Sequence, residues 1–183
     1  ITNGVGTAVS SASTGRAVNM TSGAGILTIT ATTVIATTAA ATGTAIFNAS
    51  TGATHVITGN ISDLGTGIAY NQTNGTCTFT GLITATQPAS SAPGSYCVYA
   101  SAGTLNIVAT GANEMFSGTN GKTTLRISGT GTVNLKGTVT LASDALIYMT
   151  GGTLRFGTDN AASKFTLNVS AGGSFVAVSS GGT

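Results

Sequence analysis

The sequence predicts an all-β fold, a right-handed parallel β-solenoid with about 21 residues per coil. Three observations lead there. Short apolar–polar alternations recur between Gly121 and Val178, and a period of two marks a strand with one buried face. Apolar residues also recur at a fixed step: Leu125, Leu146 and Leu167, and again Val133, Leu154 and Phe175, lie about 21 residues apart. No stretch carries the 3.6-residue periodicity of an amphipathic helix. An antiparallel β-sandwich, completed by a strand donated from a neighbour, is the alternative arrangement of the same strands.

Composition bounds the reading further. The 183 residues fit a single all-β domain, 1–183, large enough to bury a core. Charged residues are only 5% of the chain, against roughly 25% in ordinary soluble domains. Disordered chains combine high charge with few β-branched residues, whereas Val, Ile, Leu, Phe and Thr are abundant here. The net charge of +2 comes from Arg16, Lys122, Arg126, Lys136, Arg155 and Lys164 against Asp63, Glu114, Asp144 and Asp159. Cations this scattered do not make a nucleic-acid footprint. Arg126, Lys136 and Arg155 fall within strands, where they would line one outward face and discourage edge pairing. With so little self-repulsion, association between copies is not opposed.

Taken in order, residues 1–25 are rich in Gly, Ser, Thr and Ala and read as an extended N-terminal arm or a donated strand. The chain begins at Ile1 with no basic or apolar leader, which suits a mature exported protein. Ile26–Thr30 through Thr44–Phe47 lie in a charge-free region from Ala17 to Ser62. A membrane-spanning helix needs about 20 predominantly apolar residues. Here Thr28, Thr30, Thr32 and Thr33 interrupt Leu27, Ile29 and Ala31, so the segment reads as a strand with no membrane span. His55–Thr58 is a further strand. Asn74-Gly75 signals a tight turn leading into the strand Cys77–Thr80, and Leu82–Ala85 follows. Gln87–Ser95 holds Pro88 and Pro93 and reads as a loop. Tyr96–Tyr99 and Leu105–Val108 are strands, and Asn113–Phe116 reads as a short helical turn. The clear alternations follow: Thr124–Ile127, Thr132–Leu135, Thr138–Leu141, Ala145–Met149, Thr153–Phe156, Phe165–Val169 and Ser174–Val178. Upstream the step is looser, with Ile83, Leu105 and Leu125 in one series and Ile57, Phe79 and Val98 in another.

The residues that carry chemistry are few. Cys77 and Cys97 are the only cysteines. On a coil of about 21 residues they would sit on adjacent turns at nearly one azimuth, where strands about 4.8 Å apart fit a disulfide, and a bridge would suit an oxidising extracellular location. Asn-X-Ser/Thr occurs at Asn19, Asn48, Asn60, Asn71, Asn74 and Asn168, each a candidate N-glycosylation site. His55 is the single histidine. With no second His or Cys beside it in sequence it makes no metal site, and a structural or surface role is expected. Asp144 and Asp159 could fall on neighbouring turns, but both occupy positions where turns favour Asp. No catalytic triad order, phosphate loop or metal cluster is present, so no catalytic residue, cofactor or metal is assigned.

Gly137-Thr138-Val139-Thr140-Leu141 and Gly151-Gly152-Thr153-Leu154-Arg155-Phe156 resemble the repeats of right-handed β-helical adhesins and autotransporter passenger regions, mainly across residues 103–178. The resemblance implies a secreted adhesive or structural rod. A second resemblance, of composition, is to pilin-like subunits, in which the N-terminal segment would be the donated strand. The expectation is therefore an extracellular structural protein at the cell surface, without catalytic activity. It would be a repeating subunit of a filament or a rod-like adhesin, with its own copies and surface glycans as partners. The competing expectation is a carbohydrate- or ice-binding β-solenoid, whose array would include Thr28, Thr30 and Thr32. Arg126, Asn134 and Arg155 interrupt the strict Thr-X-Thr pattern that ice binding demands.

Overall fold

The computed structural model describes residues 7–11, 15–21, 25–37, 43–52, 54–63, 67–85, 97–109, 114–115, 123–141, 146–157, 165–169 and 176–178. Every regular element among them is a strand. In chain order these are β1 (Thr7–Ser11), β2 (Val18–Met20), β3 (Thr28–Thr37), β4 (Ile46–Asn48), β5 (Thr54–Asp63), β6 (Tyr70–Gln72), β7 (Thr76–Thr80), β8 (Ile83–Ala85), β9 (Val98–Ala100), β10 (Thr104–Ala109), β11 (Glu114–Met115), β12 (Thr123–Ile127), β13 (Thr132–Leu141), β14 (Leu146–Met149), β15 (Thr153–Phe156), β16 (Phe165–Val169) and β17 (Val176–Val178). Glu114–Met115, expected in a helical turn, is instead a short strand paired with the end of β13.

The strands stack as two sheets in which every pairing is parallel. One runs β2-β4-β6-β9-β12-β14-β17, and the other is built on β1-β3-β5-β7-β10-β13. Each coil contributes a strand first to one sheet and then to the other, so the chain climbs one rung per turn. This is a parallel β-solenoid.

The long strands carry two ladders each. β5 pairs with β7 through its first half and with β8 through its second. β13 pairs in the same way with β15 and then β16. A third row of pairs results, in which Ile35, Ile61 and Ile83 lie in register.

The coil length is not uniform. Asn106 and Asn134 are paired at a separation of 28 residues, Asn48 and Gln72 at 24, whereas Thr132 and Thr153 are in register at about 21. The expected pairs Val133 with Leu154 and Ile57 with Phe79 are in register. The series Ile83, Leu105 and Leu125 is not: Ile83 stacks on Ile61, Leu105 between Cys77 and Val133, and Leu125 between Val98 and Ile147. Leu146 aligns with Thr123 rather than Leu125, and Leu167 aligns with Val139. Phe175 lies outside the described residues. The physical reason is that a longer loop changes the step without changing the register of strands, so a fixed count fails wherever a loop grows.

Inward positions alternate along each strand and fill one core. Ile29, Ile57, Phe79 and Ile107 follow one column, and Ile46, Tyr70, Val98, Leu125 and Ile147 another, all at or near zero exposure. Burying such side chains contributes about 1.5–3 kcal/mol each.

The turn from the first sheet into the second repeats a Gly-Thr pair: Gly75-Thr76, Gly103-Thr104, Gly131-Thr132 and Gly152-Thr153. Gly75 has φ of 63° and Gly103 of 73°, in the left-handed region that costs other residues about 1–2 kcal/mol. A Cβ on Gly75 would lie 1.9 Å from the Ser50 carbonyl oxygen, and one on Gly103 would lie 2.4 Å from that of Gly75. The coils can stack at this corner only because both positions lack a side chain. The threonines that follow form an outward column, Thr54, Thr76, Thr104, Thr132 and Thr153.

Candidate functional site

Four polar side chains are buried among the described residues: Asn48, Ser50, His55 and Gln72. All four belong to the second and third coils, around the same corner. Asn48 and Gln72 occupy inward positions that Met20, Ala100 and Ile127 fill on neighbouring rungs.

Gln72 organises a closed network. Its Oε1 accepts from Asn48 Nδ2 at 3.2 Å and from the Tyr70 hydroxyl at 3.0 Å, and its Nε2 donates to the carbonyls of Asn74 and Gly75. Asn48 Oδ1 accepts from the Ser50 backbone N–H at 3.1 Å. The buried amides thereby fix the turn that carries Gly75. Burial pushes the Tyr70 hydroxyl well above its usual range, and pushes the neighbouring Cys77 thiol up to about 11. Both stay neutral in the core.

His55 and Ser50 differ from that pair, because each keeps an unsatisfied atom. His55 Nδ1 accepts from the Leu27 backbone N–H at 3.0 Å, so in the neutral ring the proton sits on Nε2. That Nε2 and the Ser50 hydroxyl oxygen are buried without a hydrogen-bond partner among the described residues. Leaving a buried donor unpaired costs about 1–3 kcal/mol. Burial also lowers the His55 pKa, favouring the uncharged ring. Both residues line a cleft of about 320 Å³ whose other walls are Asn19, Met20, Thr21, Gly25, Ile26 and Leu27. The corner is longer in these coils (Met20 to Thr28, Asn48 to Val56) than in the next (Gln72 to Thr78), which leaves the opening. Nε2–H is a donor in this tautomer, so the ring cannot take a proton from Ser50 through it, and the pair is not arranged as a nucleophile and base. No group of three or more His, Cys, Asp or Glu is gathered for a metal among the described residues.

The outward face of the β2–β17 sheet carries a mixed row. Asn19, Phe47, Asn71, Tyr99, Arg126 and Tyr148 are in register on successive strands. The Arg16 guanidinium lies 3.4 Å from the Phe47 ring centre and that of Arg126 lies 5.6 Å from Tyr99. Lys136 and Arg155 project from the other sheet, on β13 and β15. The three strand cations therefore do not share one face as expected.

The expected disulfide is absent: Cys77 and Cys97 are both buried thiols. Cys77 stacks between His55 and Leu105 on one sheet, whereas Cys97 directly precedes β9 of the other. Twenty residues is short of the local 28-residue coil, so the two fall on different sides of the turn.

Of the sequons, Asn19, Asn60 and Asn74 are exposed and Asn71 is half-buried. Asn168 lies in β16. Asn48 is fully buried and both ends of its amide are hydrogen-bonded, which leaves no room for a glycan in the folded chain. Asn60 Oδ1, within β5, accepts from the Leu82 N–H of the next coil at 3.1 Å, and Asn74 Oδ1 accepts from the Gly75 N–H at 2.8 Å, so Asn74 also serves its turn. Asp144, Asp159, Pro88 and Pro93 lie outside the described residues.

Ser50, Gln72 and the aromatic row were not singled out by sequence reasoning. The signal for the row lay in the inverted pattern of β4, β6 and β9, where the central residue faces out between two buried ones. No helix among the described residues is long and apolar enough to cross a membrane. No protein family, curated protein or solved structure matches the chain.

Proposed function

We propose that this chain is an extracellular structural protein, a rod-like adhesive or filament-forming solenoid at the cell surface, acting mechanically rather than catalytically. The observation that supports it most is the unbroken strand order from β2 to β17. One hydrophobic core runs from Val18 to Met149, with Leu154 packed against it, and successive coils stack along one axis. Parallel stacking of this kind resists extension by many ladder hydrogen bonds at once, and such a stack can be lengthened by pairing of a further strand along its axis. The low charge leaves such end-to-end association unopposed. Size-exclusion chromatography with electron microscopy of native material tests the reading. Polymers or elongated surface-attached particles support it, and a compact unattached monomer contradicts it.

A second reading, a carbohydrate-binding solenoid, is favoured by the row Phe47, Asn71, Tyr99, Arg126 and Tyr148. Aromatic rings recur there on every second strand, about 9.6 Å apart, with amide or guanidinium groups between them. That spacing is close to a disaccharide unit of an extended β-1,4-linked glycan. Ice binding is less supported, because the column containing Thr28 and Thr78 continues as Asn106, Asn134 and Arg155. A glycan array separates the two readings from each other and from a purely mechanical rod.

A further inference from the structure

The corner that the buried amides hold carries the pair Asn74-Gly75 on its outer side. The N–H groups of Thr73 and Asn74 both donate to the Asn48 carbonyl of the preceding coil, at 2.8 and 3.3 Å, whereas that of Gly75 donates to the Asn74 side-chain Oδ1 at 2.8 Å. A carbonyl bond is about 1.2 Å long, so the Asn74 Cγ lies within about 4 Å of the Gly75 nitrogen. Asn74 is exposed, and Gly75 has no Cβ to shield that nitrogen. The carbonyls of both residues accept from Gln72 Nε2, and that of Gly75 also accepts from the Thr104 N–H at 2.7 Å. The peptide unit is therefore held in place while its nitrogen faces its own neighbour's side chain. Asn106 and Asn134 differ: the residues that follow them, Ile107 and Leu135, pair with each other in the ladder between β10 and β13.

We propose that Asn74 is a self-modification site, at which the folded chain deamidates with water as the only co-reactant. Hydroxide takes the proton from the Gly75 nitrogen, that nitrogen bonds to Asn74 Cγ, and the Cγ–Nδ2 bond breaks as Nδ2 leaves as ammonia. The cyclic succinimide then adds water. Opening at Cγ gives an aspartate, and opening at the main-chain carbonyl gives an isoaspartate, whose backbone is longer by one methylene. Either product adds a negative charge to a chain of net charge +2. The isoaspartate also displaces a corner with no slack, since Gly75 stacks on the Ser50 carbonyl and under Gly103, and its carbonyl is bonded to Gln72 and Thr104. The change therefore loosens the buried Asn48–Gln72–Tyr70 network from outside. Asn74 also heads an Asn-X-Thr sequon. A glycan would occupy Nδ2, the leaving nitrogen, so the two modifications exclude each other. The inference does not rest on the rod reading and holds for a monomer or a filament.

The test needs no variant. The full chain is incubated in mildly alkaline buffer, folded in one sample and unfolded in urea in another, and each is followed by peptide mass spectrometry with isoaspartate-specific fragmentation. Asn3-Gly4 and Asn120-Gly121 share the residue pair and lie outside the described residues, so the map must resolve each position. In the folded chain Asn74 should convert at a rate within severalfold of that in urea, and the rate should rise as the pH is raised. Asn106 and Asn134 should convert many-fold more slowly than Asn74. The converted chain, separated by ion exchange, should melt at a lower temperature than the unconverted one. Asn74→Gln should abolish conversion at that position, because a ring closed through the longer side chain forms far more slowly. The proposal is overturned if Asn74 converts in urea but keeps its amide in the folded chain, which would mean that the corner protects it. Conversion of Asn106 or Asn134 as fast as Asn74 would overturn it equally, and an unchanged melting temperature would remove the link to the buried network.

Discussion

Asn134 Nδ2 donates to Asn106 Oδ1 at 2.7 Å, across two parallel strands and a separation of 28 residues. Asn106 in turn donates to Thr78 Oγ1 at 3.5 Å. The outward surface thus has its own ladder, parallel to that of the backbone. Asn134→Ala should lower stability by about 1 kcal/mol, the net worth of one such bond. A double-mutant cycle with Asn106→Ala, read by denaturant unfolding, should give a coupling of about 0.5 kcal/mol or more. Strictly additive losses would mean that the two amides do not act together.

Gly103 stands on Gly75 at the corner, and neither can carry a side chain in its present conformation. Gly103→Ala should cost on the order of 2 kcal/mol or more, combining left-handed strain with a backbone clash. An equivalent change at Gly25, where the space is open, should cost little. Thermal unfolding of the two variants side by side makes the comparison, and equal losses would contradict this account of the corner.

These two relationships show which parts of the fold could be read from the sequence. The alternation in Thr132–Leu135 and Thr153–Phe156 identified strands and the true partner pair Val133 and Leu154, because the loop between them is short. The pairing of Leu105 with Val133 was missed, since a step of about 21 was imposed where the local coil is longer. The Gly-Thr pairs at Gly75, Gly103, Gly131 and Gly152 held the correct register. They mark the corner directly, and loop length does not shift them. The cleft was less legible still. His55 sits in a strand pattern as an apolar residue would, and only the bond from the Leu27 N–H shows that one nitrogen is engaged and the other is not.

His55 should also make stability depend on pH. Its folded pKa is lowered by burial, while the unfolded value is about 6.5. Between those two values the unfolded chain binds the extra proton, so stability is full above about 6.5 and falls as the pH drops below it. The lining side chains Asn19, Thr21 and Ser50 do not titrate, and Cys77, its strand neighbour, stays a neutral thiol. The melting temperature should therefore fall between about pH 7 and 5, and His55→Gln should flatten the profile in that window. An unchanged slope in the variant would assign the dependence elsewhere.

Cys77 and Cys97 should behave as thiols. Without reductant, the unfolded chain should react with two equivalents of a thiol reagent, one per cysteine. In the folded chain, burial and a thiol pKa of about 11 should make Cys77 slow to react. No reaction after unfolding would show a bridge and would require the corner between the two sheets to be rebuilt.

The stacking register is tested most directly by nuclear Overhauser contacts between backbone amides, in a chain of 17.7 kDa. Asn106 should show contacts to both Thr78 and Asn134, with Leu105 flanked in the same way by Cys77 and Val133. Contacts from Asn106 to an antiparallel neighbour, or none to Thr78 and Asn134, would contradict the solenoid.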